Sequence, residues 1–155
     1  MKTAVIVSDS HGNRAVFDKL APVFKESDYI FHLGDHCADG LALKKIYGDK
    51  VFIINGNCDI YALGENELIT EIEGVKIFAC HGHLYSVKSG YDKLLYKAEE
   101  LGCDIALFGH THVATVLEYG STTLINPGNL SRYSQNSYCY LVIHNGKPVA
   151  KIVNI

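Results

Sequence analysis

Short apolar runs separated by polar turns set the rhythm of this chain. Residues 4–7, 29–33, 51–54, 75–80 and 105–108 are rich in β-branched and aromatic side chains and are bounded by Gly, Asp, Asn or Ser. Such runs read as buried strands. Helical periodicity fills the gaps between the first three. Val16, Phe17, Leu20 and Phe24 make one apolar face of a helix over residues 13–25, with Asn13 as its cap. A second helix covers residues 38–47 and stops at Gly48. Strand 3–8, helix, strand 28–33, helix and strand 50–54 predict right-handed crossovers and a parallel sheet.

The pattern changes after Tyr61. Residues 67–73 and 75–80 form a predicted hairpin turning at Glu73-Gly74. A helix over 89–101 follows, capped by Ser89, with Leu94, Leu95, Ala98 and Leu101 facing inward and Gly102 as its stop. Strand 104–108 leads to a tail of short antiparallel strands at 113–119, 122–126, 137–144 and 148–153, with turns at Tyr119-Gly120 and Asn145-Gly146. No linker, repeat or low-complexity segment interrupts the series. The expectation is one α/β domain over residues 1–155, with two packed sheets flanked by helices.

Composition narrows the class. The chain has 155 residues, 48% hydrophobic and 20% charged, enough to bury roughly two-thirds of its unfolded surface. The net charge is −3 and the pI about 6.2, with no run of Lys or Arg. That balance argues against nucleic acid as a partner. The apolar start is too short for a signal peptide, and no stretch approaches the ~20 apolar residues of a membrane span. Cys37, Cys58, Cys80, Cys103 and Cys139 are scattered without a Cys-x-x-Cys pair. Buried thiols in a reducing, cytoplasmic setting are expected. The ten tyrosines are packing residues and candidates for homo-oligomer contacts.

Chemistry enters just after each strand. The segments are Asp9-Ser10-His11, Gly34-Asp35, Gly56-Asn57-Cys58-Asp59, His81-Gly82-His83 and Gly109-His110-Thr111-His112. Any one alone is weak, because Gly-Asp is ordinary turn chemistry and a lone strand-end histidine is commonly structural. Together they place five of the eight histidines beside strand ends. The C-terminal edge of an α/β sheet is where such folds bind ligands. Residues i and i+2 of an extended segment share a face, which would aim Asp9 with His11, and His110 with His112, into one pocket. Asp9, His11, Asp35, Asn57, His81, His110 and His112 form a mixed N/O donor set that counts to two cations. The absence of a required thiolate leaves Mn, Fe, Ni, Zn or Co open.

These ordered segments, with His32-Leu33-Gly34-Asp35 and Asn126-Pro127-Gly128, resemble the calcineurin-like metallophosphoesterases across nearly the whole chain. Its length and the cysteine after Gly56-Asn57 are similar to the small prokaryotic YfcE-like branch. The resemblance implies a four-layer α/β/β/α sandwich. It further implies that Asp9, His11 and His112 hold one divalent transition metal, Mn2+ or Ni2+ being favoured. Asn57, His81 and His110 would hold a second, with Asp35 bridging. A metal-bridging hydroxide would attack phosphorus in line, and Asn57 and His83 would stabilise charge on the transferring group of a small-molecule phosphodiester.

The family pattern is broken at Cys58, where many members carry a leaving-group histidine. A thiol of reference pKa ~8.5 is a poor acid near neutrality, so Cys58 is read either as a weak proton donor or as a small filler. His83 and Asp59 are the other expected proton sources. A second departure is Asn129, in place of the family's frequent serine, expected to matter for local turn bonding. Arg132 reads as a solvated surface residue, and His32 as a buried residue that orients Asp35. Two other readings are a non-catalytic scaffold like the retromer subunit, which would show ligand loss, and a nuclease, which would show a basic surface.

Overall fold

The computed structural model describes residues 1–155. In chain order the elements are β1 (Lys2–Val7), α1 (Ala15–Glu26), β2 (Tyr29–His32), α2 (Cys37–Tyr47), β3 (Val51–Ile53), β4 (Glu67–Ile72), β5 (Val75–Cys80), α3 (Asp92–Glu100), β6 (Ile105–Leu107), β7 (Thr115–Tyr119), β8 (Thr122–Asn126), β9 (Ser137–His144) and β10 (Lys147–Asn154). They form two mixed five-stranded sheets, ordered β10-β9-β1-β2-β3 and β4-β5-β6-β8-β7. The first strands pair in parallel as the strand–helix alternation requires. The tail supplies antiparallel partners to both sheets, β7 pairing with β8 and β9 with β1.

The period-2 alternation of each strand decides the layers. Ala4 and Ile6 of β1, Ile77 and Ala79 of β5, and Ile105 and Leu107 of β6 share one buried cluster between the sheets. Val5 and Val7 point the other way, against Val16, Leu20 and Phe24 of α1 and Leu43 of α2. Phe78 and Cys80 do likewise against Leu94 and Ala98 of α3. The result is an α/β/β/α sandwich. Two-residue turns with both central residues left-handed close two hairpins, at Glu73-Gly74 (φ 48° and 81°) and Asn145-Gly146 (φ 50° and 72°). This turn suits the strands' twist. Pro148 lies on the edge strand β10, where a missing N–H is tolerated.

Two helix starts differ from expectation. α1 begins after Arg14, because the Asn13 side chain instead donates to the Leu130 carbonyl at 2.7 Å. α3 begins at Asp92, since the Ser89 N–H closes a turn onto Ser86 at 2.9 Å. In both places a tertiary or turn bond holds outside the helix the residue that the local pattern placed at its start. All five cysteines are free, with Cys58 exposed and the others buried. No helix is long and apolar enough to cross a membrane.

The ligand-bearing loops leave β1, β2 and β3 in one sheet and β5 and β6 in the other. They therefore do not line a single sheet edge, as the strand pattern suggested. Two facing sheets present their C-terminal ends together, and the packing between them sets the distance across the site. Phe31 is fully buried in that packing and stacks on Phe52 at 5.0 Å between ring centroids. Phe31→Ala should cost about 3–5 kcal/mol, read as a lower urea midpoint. A loss under ~1 kcal/mol would contradict this account of the core.

Candidate metal centre

The donor loops are tight turns rather than extended segments. Asp9 (φ 53°), His11 (45°), Asp35 (55°), His110 (68°) and His112 (62°) all have left-handed backbones. Non-glycine residues seldom adopt this conformation, at roughly 1–2 kcal/mol each. The expected sharing of a face by residues i and i+2 is replaced by a different geometry. His110 and His112 fall into separate groups: Asp9, His11, Asp35 and His112 form one, and Asp35, His81 and His110 the other. Within each group the ligand atoms lie within 4.8 Å of one another. Asp35 belongs to both. Its Oδ2 is 3.6 Å from His11 Nε2, and its Oδ1 is 3.4 Å from His81 Nε2. Asn57 joins the second group, its Oδ1 lying 3.0 Å from His81 Nε2.

The donors fit cations. Asp9 Oδ2 accepts hydrogen bonds from Ser8 Oγ (2.6 Å) and the His110 N–H (3.0 Å). Asp9 Oδ1 is buried with no hydrogen-bond partner, 3.1 Å from His112 Nε2. A buried carboxylate oxygen without a donor is costly unless a cation faces it. His11 Nε2 and His112 Nε2 approach to 3.4 Å. The carbonyl of Leu33 accepts from His81 Nδ1 at 2.7 Å, which leaves the Nε2 lone pair directed at the site. Donors bound at ~2.0–2.1 Å sit about 3–3.4 Å apart in a shared coordination shell, close to the 3.1 Å of Asp9–His112, the 3.0 Å of Asn57–His81 and the 3.4 Å of His11–His112 and Asp35–His81, with His11–Asp35 wider at 3.6 Å.

Electrostatics follow from the crowding. Burial raises the Asp35 carboxyl, but the His81 contact and the Cys58 N–H outweigh it and hold the group well below the usual carboxylate range. Burial lowers His81, yet its contacts to Asp35 and Asp9 leave it raised. Burial, then the neighbouring His81, lowers both His83 and His110. The Cys58 thiol, although its residue is exposed, is pushed up by partial desolvation from the neighbouring loops and then by the Asp35 charge, which favours the protonated form.

Several polar residues hold these loops from behind. Asp39, fully buried on α2, accepts from Ser10 Oγ (2.7 Å), the Gly12 N–H (2.9 Å) and Arg14 Nε (2.9 Å). Asn126 Nδ2 donates to the Gly109 carbonyl and to Thr111 Oγ1, each at 3.0 Å. Asn129 does more than local turn bonding, because its Nδ2 also holds the His112 carbonyl at 3.1 Å. Gly56 and Gly109 allow the closest approaches. A Cβ on Gly56 would strike the Asp35 carboxylate, and one on Gly109 would strike Ser8 and Asp9.

Some expected roles move. His32 makes no hydrogen bond to Asp35. The Gly34 N–H donates to its Nδ1 (3.3 Å), and its Nε2 meets Ser10 Oγ at 2.8 Å. It thus braces the Asp9 loop through Ser10 and Asp39. Asp59 is turned toward the backbone, its two oxygens accepting the N–H groups of Asp35, His36, Cys37 and Gly56. Cys58 is exposed beside Asn57, with Sγ 3.5 Å from Nδ2. His83 packs against His81 and His110, and its Nδ1 is buried without a partner. Arg132 is exposed. Asp39 was absent from the sequence reading, although an aspartate on the inner side of a helix was a signal that could have found it.

Comparison with known proteins shows what the chain is similar to. The model of the calcineurin-like phosphoesterase superfamily domain matches residues 1–146. The probable metallophosphoesterase YsnB of Bacillus subtilis is 33% identical over 91% of this chain and 84% of its own. The phosphodiesterase YfcE of Escherichia coli is 25% identical over 84% of this chain and 80% of its own. A crystal structure of a predicted phosphoesterase from Streptococcus pneumoniae superposes with a TM-score of 0.83 at 28% identity, covering 99% of this chain and 89% of that one.

The buried His32 gives a pH signature. Burial pushes its pKa down to about 4, whereas the ring takes a proton near ~6.5 in an unfolded chain. The unfolded state therefore binds the extra proton as pH falls through that window, and stability is lost with it. Between pH 7.5 and pH 5 the loss from this ring should be about 2 kcal/mol. Urea titrations of wild type and His32→Gln should differ by that amount in their pH dependence. Identical profiles would show that burial leaves the His32 pKa unshifted.

Proposed function

The chain belongs to the calcineurin-like phosphoesterase superfamily, and from that premise we propose a divalent-metal-dependent phosphodiesterase acting on small-molecule phosphoesters. The observation that carries the reading is Asp35, whose two oxygens face histidines of two separate donor groups. In this reading Asp9, His11 and His112 hold one cation, Asn57, His81 and His110 a second, and Asp35 both. The N/O donor set suits Mn2+ or Ni2+, with Fe, Zn or Co compatible. When bound, two such cations lower the pKa of a water and neutralise phosphoryl charge.

The chain's own residues contribute orientation and hydrogen bonds. Asn57 directs Oδ1 at His81, leaving its Nδ2, beside only the weakly bonding Cys58 thiol, to donate to a phosphoryl oxygen. Burial favours neutral His83. The tautomer with the lone pair at the unpartnered Nδ1 avoids a buried unpaired N–H. That tautomer puts the proton on Nε2, where it serves as a neutral donor. Cys58 stays a protonated thiol, too weak an acid to match an imidazolium. Asp59 is fully engaged with backbone N–H groups and donates nothing. The site thus orients a phosphodiester well but protonates its leaving group poorly.

A scaffold with a degraded site would lack donors, and each position here is filled. A nuclease reading gains nothing from a chain of net charge −3 without a basic run. Metal-stripped protein should be inactive on mono- and diesters alike and regain diesterase activity with Mn2+ or Ni2+. Across a leaving-group series, aryl diesters should react readily and alkyl esters slowly. Cys58→His should raise rates on poor leaving groups by up to ~10²-fold and change good ones little. Activity of metal-stripped protein, or parallel leaving-group plots for the two forms with equal metal content, would refute this.

A further inference from the structure

We infer that Asp59 is a positioning residue of the metal centre, locking the backbone on which Asp35 is presented to both donor groups. This rests on the reading of Asp35 as the shared ligand. Asp59 Oδ2 accepts from the Asp35 N–H at 3.1 Å and the Gly56 N–H at 2.7 Å. Its Oδ1 accepts from the His36 N–H at 2.8 Å and the Cys37 N–H at 2.7 Å. One carboxylate thus ties the loop after β2 to the loop after β3.

The need for such a tie is local. α2 starts at Cys37, and its first N–H groups have no partners within the helix. The cap position is held by His36, which makes no side-chain cap bond and lies 3.1 Å from Asp39 through Nδ1. Asp59 fills the gap from another segment, with a negative charge at the positive end of the helix. Asp35 and His36 are consecutive non-glycine residues in left-handed conformation, φ 55° and 82°. Left alone, that pair would relax toward ordinary backbone angles and carry the Asp35 side chain away from one donor group. Four N–H bonds to a single carboxylate oppose the relaxation. The arrangement is reciprocal, since Asp35 Oδ1 accepts from the Cys58 N–H at 3.0 Å. Each aspartate holds the other's loop.

A helix cap alone would influence stability and leave metal binding unchanged, so metal binding separates the two roles. Full-length wild type, Asp59→Asn and Asp104→Asn are titrated with Co2+, following its absorption spectrum, and melted in parallel. Asp104 accepts from the Lys76 N–H at 2.8 Å and belongs to neither donor group, so it controls for the general loss of a bonded carboxylate. Asp59→Asn keeps the shape but sets an NH2 against backbone donors. It should weaken Co2+ binding about 10–100-fold and alter the spectrum, while Asp104→Asn lowers only the melting temperature. Asp59→Ser, which retains an ordinary cap acceptor, should show the same loss of affinity and covers an Asn variant that fails to fold. A folded Asp59 variant with the wild-type isotherm and spectrum would overturn the inference. Wild type that binds no Co2+ would overturn the metal reading, and this inference with it.

Discussion

The Asp35 carboxylate lies between His11 and His81, donors that reach it from opposite sheets, and the rest of the molecule is arranged around that contact. His11 follows β1, and His81 follows β5 of the facing sheet. Neither sheet alone could assemble both donor groups. The inter-sheet cluster that includes Ile6, Phe31, Ile77 and Leu107 therefore has a chemical as well as a mechanical consequence. A shift of one sheet over the other would change the separation of donors on both sides of Asp35. Close-packed cores permit little such sliding.

Holding donors this tightly stores strain in the backbone, and the strain is localised. The left-handed residues Asp9, His11, Asp35, His110 and His112 lie in loops fixed by polar groups that take no part in the donor set. Asp39 holds the first loop, Asp59 the second, and Asn126 with Asn129 the last. Glycines at 56 and 109 let one loop press on the carboxylate of another. Backbone strain persists only where surrounding structure over-determines it, and these hydrogen bonds supply that. A rigid cage of this kind would let cations, in the proposed reading, replace hydrogen-bond donors at buried oxygens such as Asp9 Oδ1.

The fold was largely legible in the chain because its signals are local and periodic. Short apolar runs at 4–7 and 75–80 gave both strands, whereas their two faces appear only in the packing, where Ala4 with Ile6 and Val5 with Val7 enter separate clusters. The donor residues were legible for a similar reason, sitting directly after those strands. What could not be read was how distant segments satisfy one another. The Asn13 amide serves Leu130 rather than its own helix, and His32 serves Ser10 rather than Asp35. Asp59 caps a helix that begins 22 residues earlier in the chain. None of these has a sequence signature, because the partner is chosen by tertiary approach. The left-handed loops escaped for the same reason: aspartate and histidine are enriched at positive φ among non-glycine residues, but which of them adopt it is set by tertiary contacts.

In the proposed reading, weak leaving-group protonation follows from Cys58, raised by desolvation and by Asp35, beside an Asp59 whose oxygens accept backbone N–H groups. The reading's central premise is simpler: one carboxylate serves two cations. Anomalous diffraction from Mn2+-soaked crystals, recorded on both sides of the manganese edge, tests this most directly. The account predicts two peaks about 3.5–4 Å apart, with Asp35 between them, Asp9, His11 and His112 around one, and Asn57, His81 and His110 around the other. A single peak, or two peaks that do not share Asp35, would contradict it.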